Sequence, residues 1–141
     1  MSASPARTIR LVLLCDSPPA ASYEGRPAEF GLQDARAVLH PGDVQPDGAV
    51  RFELEAAVKP HRDSGAPNFS GPFVHGPALG RFLYLGWRRI GDVAWIRRYK
   101  IPLAGITWEL LDSGAPLRAR VSAAWRGATL MPAEGGWTPQ R

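Results

Sequence analysis

At 141 residues the chain has the length of one domain, enough to bury about two thirds of the surface its unfolded form exposes. With 45% hydrophobic and 21% charged residues it is not intrinsically disordered, since disorder needs fewer apolar groups and a larger net charge. The net charge of +4, from 15 Arg and 2 Lys against 13 acidic residues, suits a polyanionic partner, but the abundance of Ala, Gly, Pro and Arg also reflects GC-rich codons, so the charge alone assigns none.

Residues 1–6 read as a loose tail. Residues 8–15 form a first strand, with Ile9, Leu11, Leu13 and Cys15 on one face and Val12 and Leu14 on the other, apolar on both sides as in a central strand. The run Leu11-Val12-Leu13-Leu14-Cys15 is too short for a secretory h-region, and Asp16 closes it. A single cysteine excludes an intrachain disulfide, and with no leader apparent the expected compartment is a reducing cytoplasm. No stretch approaches the ~18 apolar residues of a membrane span.

Residues 16–27 are a loop, and 30–40 a strand anchored by Phe30, Leu32, Val38 and Leu39, with a helical turn over 34–39 as the alternative. After a turn over 41–48, Val50, Phe52, Leu54, Ala56 and Val58 alternate with polar or small neighbours, the period-two signature of a strand buried on one face. One-sided burial points to an antiparallel sheet. Residues 60–80 hold four prolines and four glycines without sustained periodicity. So long a loop in a compact domain is usually functional or disordered, and Phe69 and Phe73 argue against disorder.

Residues 81–87 and 93–101 are predicted to form a hairpin, turned at Gly91-Asp92. Over 102–111, Ile106, Trp108 and Leu110 alternate as in a strand, and a short helix after Pro102 is the alternative. A turn at 113–116 leads to a second clear strand, with Leu117, Ala119, Val121, Ala123 and Trp125 on one face. The segment from Gly127 holds Trp137 and packs back or frays, with 131–141 a loose tail. The expected fold is therefore a single all-β domain over 1–141 with minor helical content: an antiparallel sandwich or barrel of six to eight strands.

Motifs that carry chemistry are scarce. His61-Arg62-Asp63 with Asn68 matches the kinase catalytic-loop pattern, but the glycine-rich loop, strand lysine and D-F-G that a kinase requires are missing. His40, His61 and His75 are too widely spaced for a local zinc motif, and no metal or cofactor is expected. Cys15 sits in a buried strand, where thiols are usually inert. No serine occupies a G-x-S-x-G elbow, and no phosphate-cradling glycine pattern occurs. The densest polar and aromatic cluster is the hairpin, with Arg81, Trp87, Arg88, Arg89, Trp95, Arg97, Arg98, Tyr99 and Lys100. Arg offers bidentate pairing to carboxylate or phosphate, and aromatics beside basic groups can bind single-stranded nucleic acid; packing and solvated charge explain the same residues without a ligand.

Phe30-Gly31-Leu32-Gln33, Asn68-Phe69-Ser70-Gly71-Pro72-Phe73-Val74-His75-Gly76-Pro77, Arg81-Phe82-Leu83-Tyr84, Trp95-Ile96-Arg97-Arg98-Tyr99-Lys100-Ile101-Pro102-Leu103 and Gly105-Ile106-Thr107-Trp108 together resemble an uncharacterised bacterial family of unknown function, over residues 8–137. The resemblance implies a small, stand-alone cytoplasmic protein and brings no activity, ligand or catalytic residue. It also implies a longer hairpin loop and a glycine-rich stretch before the last strand, where this chain has Ile90-Gly91-Asp92 and Trp125-Arg126-Gly127.

In the loop over 68–77, Gly71-Pro72 and Gly76-Pro77 predict a rigid path, pegged by Phe69 and Phe73. Rigid loops on β scaffolds are common places for binding residues. The leading expectation is a non-catalytic domain that recognises a small anionic or aromatic ligand, or a protein partner, through Asn68, His75, Arg81, Trp87, Arg97 and Arg98. One alternative is an enzyme with His75 as acid or base and Arg81 or Arg97 stabilising an anion. The other is a single-strand nucleic-acid binder using Trp87 or Trp95 with Arg88 and Arg98.

Overall fold

The period-two stretches become strands of a computed structural model that describes residues 6–123 and 136–140. In chain order the strands are β1 (Arg7–Asp16), β2 (Ser22–Tyr23), β3 (Arg26–Gln33), β4 (Leu39–His40), β5 (Asp43–Val44), β6 (Val50–Pro60), β7 (Pro67–Ser70), β8 (Phe82–Arg89) and β9 (Arg97–Pro102). A short helix, α1 (Trp108–Asp112), precedes β10 (Leu117–Ser122) and β11 (Thr138–Pro139). These eleven strands among the described residues exceed the expected six to eight because β2, β4, β5 and β11 are two-residue pairings that leave no hydrophobic period to read.

The strands form two sheets in a sandwich-like arrangement, and neither closes as a barrel. The first runs β11-β10-β1-β6-β5, with β7 also pairing β6, and the second runs β2-β3-β8-β9, with β4 on β3. Between them lie Leu11, Leu13, Phe52, Leu54 and Val121 from the first sheet and Leu32, Leu83, Leu85, Tyr99 and Ile101 from the second. Phe30 meets Phe52 edge-on across this layer, with centroids 6.0 Å apart. Burying such side chains contributes roughly 1.5–3 kcal/mol each and drives the two faces together.

Two expectations are corrected. The sheet is not purely antiparallel, because β1 and β10 pair in parallel from Leu11↔Leu117 to Asp16↔Ser122. The outer face of β10 carries Arg118, Arg120 and Ser122 rather than a second apolar layer, so β10 keeps the one-sided alternation expected of antiparallel strands. Over 102–111 the alternative, a short helix after Pro102, forms in place of the favoured strand: Thr107 caps α1 by accepting from the Leu110 N–H at 3.3 Å, and Ile106 and Leu111 turn inward. A capped turn beginning at Thr107 overrides the accidental alternation of Ile106, Trp108 and Leu110.

Phe69 is buried as expected, and Phe73 packs half-buried against the core. Trp137 is buried and donates to the Pro102 carbonyl at 3.0 Å, so residues 136–140 pack back onto the fold. Trp125 and the tail positions 131–135 and 141 lie outside the described residues. Among the described residues no helix is long and apolar enough to cross a membrane.

Candidate functional site

Alternation sorts the hairpin residues by face. On β8, Leu83, Leu85 and Trp87 point into the core, so Phe82, Tyr84, Gly86 and Arg88 point outward. The register Leu85↔Tyr99 and Trp87↔Arg97 puts Tyr99 and Arg97 on the inner side of β9 and Arg98 and Lys100 on the outer side. On β3 the outward positions are Glu29, Gly31 and Gln33.

Gly31 and Gly86 face each other across the register and leave the centre of this outer face without side chains. The gap is filled from outside. A Cβ on Gly86 would lie 2.6 Å from Trp95 and 2.8 Å from Leu39. Trp95 is therefore not on a strand. It sits in the loop between β8 and β9, which spans seven residues, 90–96, rather than a tight turn at Gly91-Asp92, and it folds back over the sheet.

A row of cations and rings results. Lys100 Nζ lies 4.6 Å from the Phe82 centroid, and the Arg98 guanidinium lies 4.7 Å from Tyr84 and 5.4 Å from Trp95. Arg88 lies 4.7 Å from the same Trp95 ring and donates from Nε to Glu29 at 2.8 Å. Each exposed cation–ring contact contributes about 0.5–1 kcal/mol, and it fixes a guanidinium while leaving N–H donors free. Among the described residues neither Arg98 nor Lys100 has a carboxylate partner, whereas Arg88 is paired.

Of the expected 68–77 loop, Asn68–Ser70 belong to β7, and residues 71–77 border one end of this row. His75 pairs its main chain both ways with Phe82, at 2.9 and 3.0 Å, and its ring lies 5.0 Å from Tyr84 and 6.2 Å from Phe82. His75 Nε2 is 2.9 Å from the Gln33 carbonyl, an arrangement that puts the proton on Nε2. Gly76 follows at φ +91°, where a Cβ would also strike the Phe82 ring at 2.5 Å, so this turn accepts only glycine. Gln33 itself is 6% exposed, with no donor to its Oε1 among the described residues.

On the other side of the loop, Arg81 donates to the Gly76 carbonyl, while its Nε is buried without an acceptor. It lines a cleft of about 20 Å³ with Pro67, Phe69 and Leu79. That volume suits one water, whereas small-molecule pockets run to roughly 300–1,000 Å³. Asn68 sits on β7 opposite Lys59, its Oδ1 buried without a donor.

Of the six expected site residues, the structure brings together His75 and Arg98, which share Tyr84. Arg81 lines the water-sized cleft instead, and Asn68 lies on β7 opposite Lys59. Trp87 is core: it is 1% exposed, meets Tyr23 edge-on at 5.2 Å and donates to the Ala20 carbonyl at 3.0 Å. Arg97 lies on the same inner side, beside Tyr99, whose hydroxyl burial pushes up, with Arg97 opposing that shift and Cys15 adding to it. The face residues passed over as site candidates are Phe82, Tyr84 and Lys100, and counting by twos from Arg98 and Arg88 would have found them.

His61-Arg62-Asp63 is a turn between β6 and β7, its His61 Nδ1 facing the Asp63 and Ser64 N–H groups at 3.3 and 3.4 Å. Among the described residues no three His, Cys, Asp or Glu side chains group as metal ligands. The model of a family of unknown function, DUF5990, matches residues 9–140. No curated protein and no solved structure matches the chain.

Proposed function

We propose that this chain, which belongs to the family of unknown function DUF5990, is a non-catalytic interaction domain that binds an acidic segment of a protein partner on the outer face of its second sheet. The observation that carries this reading is the pair Arg98 and Lys100, held over Tyr84, Trp95 and Phe82 with no carboxylate of their own among the described residues. Pre-positioned cations lose less side-chain freedom on pairing, which favours carboxylates presented along an extended or helical segment.

Other occupants fit less well. A small ligand at the 68–81 loop would meet the cleft beside Arg81, which holds about 20 Å³. Stacking by nucleobases needs free aromatic faces, and here cations lie over the rings. Acid–base chemistry at His75 would need a carboxylate or a substrate proton at its ring, and the ring is instead tied to a main-chain carbonyl between aromatic neighbours.

The test is fluorescence anisotropy with labelled poly-glutamate, against single-stranded oligo-thymidine as the alternative polyanion. Poly-glutamate is expected to bind more tightly as salt is lowered, and Arg98→Ala with Lys100→Ala to weaken it about tenfold, some 1.4 kcal/mol. Poly-glutamate binding that the double substitution leaves unchanged, or tighter binding of oligo-thymidine that Trp95→Ala abolishes, would overturn the reading.

A further inference from the structure

A separate cavity lies away from that face, at the start of β1. It measures about 380 Å³ and is lined by Thr8, Ile9, Arg10, Leu111, Ala115 and Leu117, among others. Its origin is a mismatch in strand length. β6 pairs with β1 from Arg7 onward, but β10 joins only at Leu117↔Leu11, so Arg7–Arg10 lacks a strand neighbour on that side among the described residues. These four residues span about 13 Å of strand. The lane that β10 would occupy is vacated because Ala115 turns back, its N–H held by Ser113 Oγ at 3.3 Å, and Pro116 has no N–H to give.

The direction of the open main chain follows from strand alternation. Successive residues present N–H and C=O to opposite neighbours. The Ala123 N–H donates to the Asp16 carbonyl at 3.2 Å, so the even-numbered residues of β1 face β10. The Pro116 carbonyl agrees, because it accepts from Gln140 on the far side of β10 and so leaves Leu117 to face β1. Leu117 then closes the ladder against the Arg10 carbonyl. The Arg10 N–H and both main-chain groups of Thr8 are left facing the cavity. Ile9 and Leu11 have theirs in the β6 ladder.

The charged side chains around the cavity are already matched. Arg7 pairs with Asp112 at 2.7 Å and lies over Trp108 at 5.2 Å, and Arg10 pairs with Glu53 at 3.1 Å and Glu55 at 3.5 Å. What remains to recognise a guest is main chain, one donor and one donor–acceptor pair at strand spacing, beside the apolar surface of Ile9, Leu111 and Leu117. That pattern is complementary to another strand. We infer that this gap is a strand-addition site that takes an extended peptide segment of a partner protein alongside Thr8–Arg10, with a β-branched or small apolar residue toward Leu111 and a polar one outward.

The probe is the capped peptide acetyl-Thr-Val-Thr-Val-amide at millimolar concentration, followed by amide NMR on the full chain. Expected are shifts and slowed exchange at the Thr8 and Arg10 N–H groups, with those of Ile9 and Leu11 unmoved. The same peptide with alternate amides N-methylated should produce neither. Ala115→Trp, which fills the gap from the turn, should abolish the shifts while leaving the melting temperature unchanged. Should that variant fail to fold, the methylated peptide still decides. Three results overturn the inference: no change at Thr8 and Arg10, equal effects from the methylated peptide, or concentration-dependent protection of these amides without peptide, which would make a second copy of the chain the occupant.

Discussion

Trp95 rests directly on Gly86: a Cβ at position 86 would come within 2.6 Å of the indole. The contact makes the outer face of the second sheet a sequence-specified surface, because the ring that carries Arg88 and Arg98 can lie down only where the strand has no side chain.

Gly86→Ala should therefore lift Trp95 off the sheet and disperse the cation row. Inserting a methyl group into a filled space costs about 1–3 kcal/mol. Urea unfolding should show that loss, and poly-glutamate binding should fall with it although no charge has changed.

Tyr99 is fully buried, and its hydroxyl has no hydrogen-bond partner among the described residues. An unpaired buried hydroxyl is a desolvation cost without return, so Tyr99→Phe is expected to be neutral or to stabilise by up to about 1 kcal/mol. A loss of stability in thermal unfolding would mean that the hydroxyl is paired in solution.

Burial pushes the Cys15 thiol from 9.0 up to about 12, with Asp16 adding to the shift and a hydrogen bond at Ala123 opposing it. A raised folded-state value means stability is complete below the unfolded value and declines as pH rises through the interval between the two. The wild type should lose stability above about pH 9, and Cys15→Ala should flatten that decline. Thiol reagents at neutral pH should label Cys15 only at the rate of unfolding.

His40 Nε2 lies 2.9 Å from Asp34 Oδ2, while Asp34 Oδ1 accepts from the N–H groups of Arg36 and Val38 at 2.8 and 3.0 Å. The His40 hydrogen bond chiefly, helped by those two N–H groups, holds the Asp34 carboxyl below its ordinary 3.8. A depressed carboxyl stabilises the fold above its unfolded value and stops doing so as pH falls through the folded one. Asp34→Asn should make the acid limb of a melting-temperature profile shallower, and an NMR titration should place the Asp34 midpoint below 3.8.

The first sheet was legible where burial is one-sided. Val50 to Val58 and Leu117 to Val121 alternate in the structure as they do in the sequence. Partner and direction were not, because alternation records which side of a strand is wet and says nothing of which strand lies beside it, and so the parallel β1–β10 pair was missed. The two tryptophans of the hairpin show the same limit at the candidate site. Trp87 and Trp95 are alike in composition and flanking charge, yet one is core and the other lies on the outer face. Their roles depend on how many residues the loop consumes, and Gly91-Asp92 suggested a turn shorter than the one that forms. The cavity beside Thr8 had no sequence signal at all, since it arises from where two distant strands fail to overlap.

That same parallel pairing sets the order in which the molecule can be assembled. Asp16 and Arg120, ion-paired at 2.7 Å, are 104 positions apart. Until β10 has been made, β1 has β6 on one side and nothing on the other, so the first sheet waits on nearly the whole chain. Contacts of such long sequence separation must overcome a large loop-closure entropy before they contribute, which makes folding slow relative to chains of local topology. For that interval Leu11, Val12 and Leu13 stand at an open sheet edge, and the newly made protein is then at its most prone to aggregate.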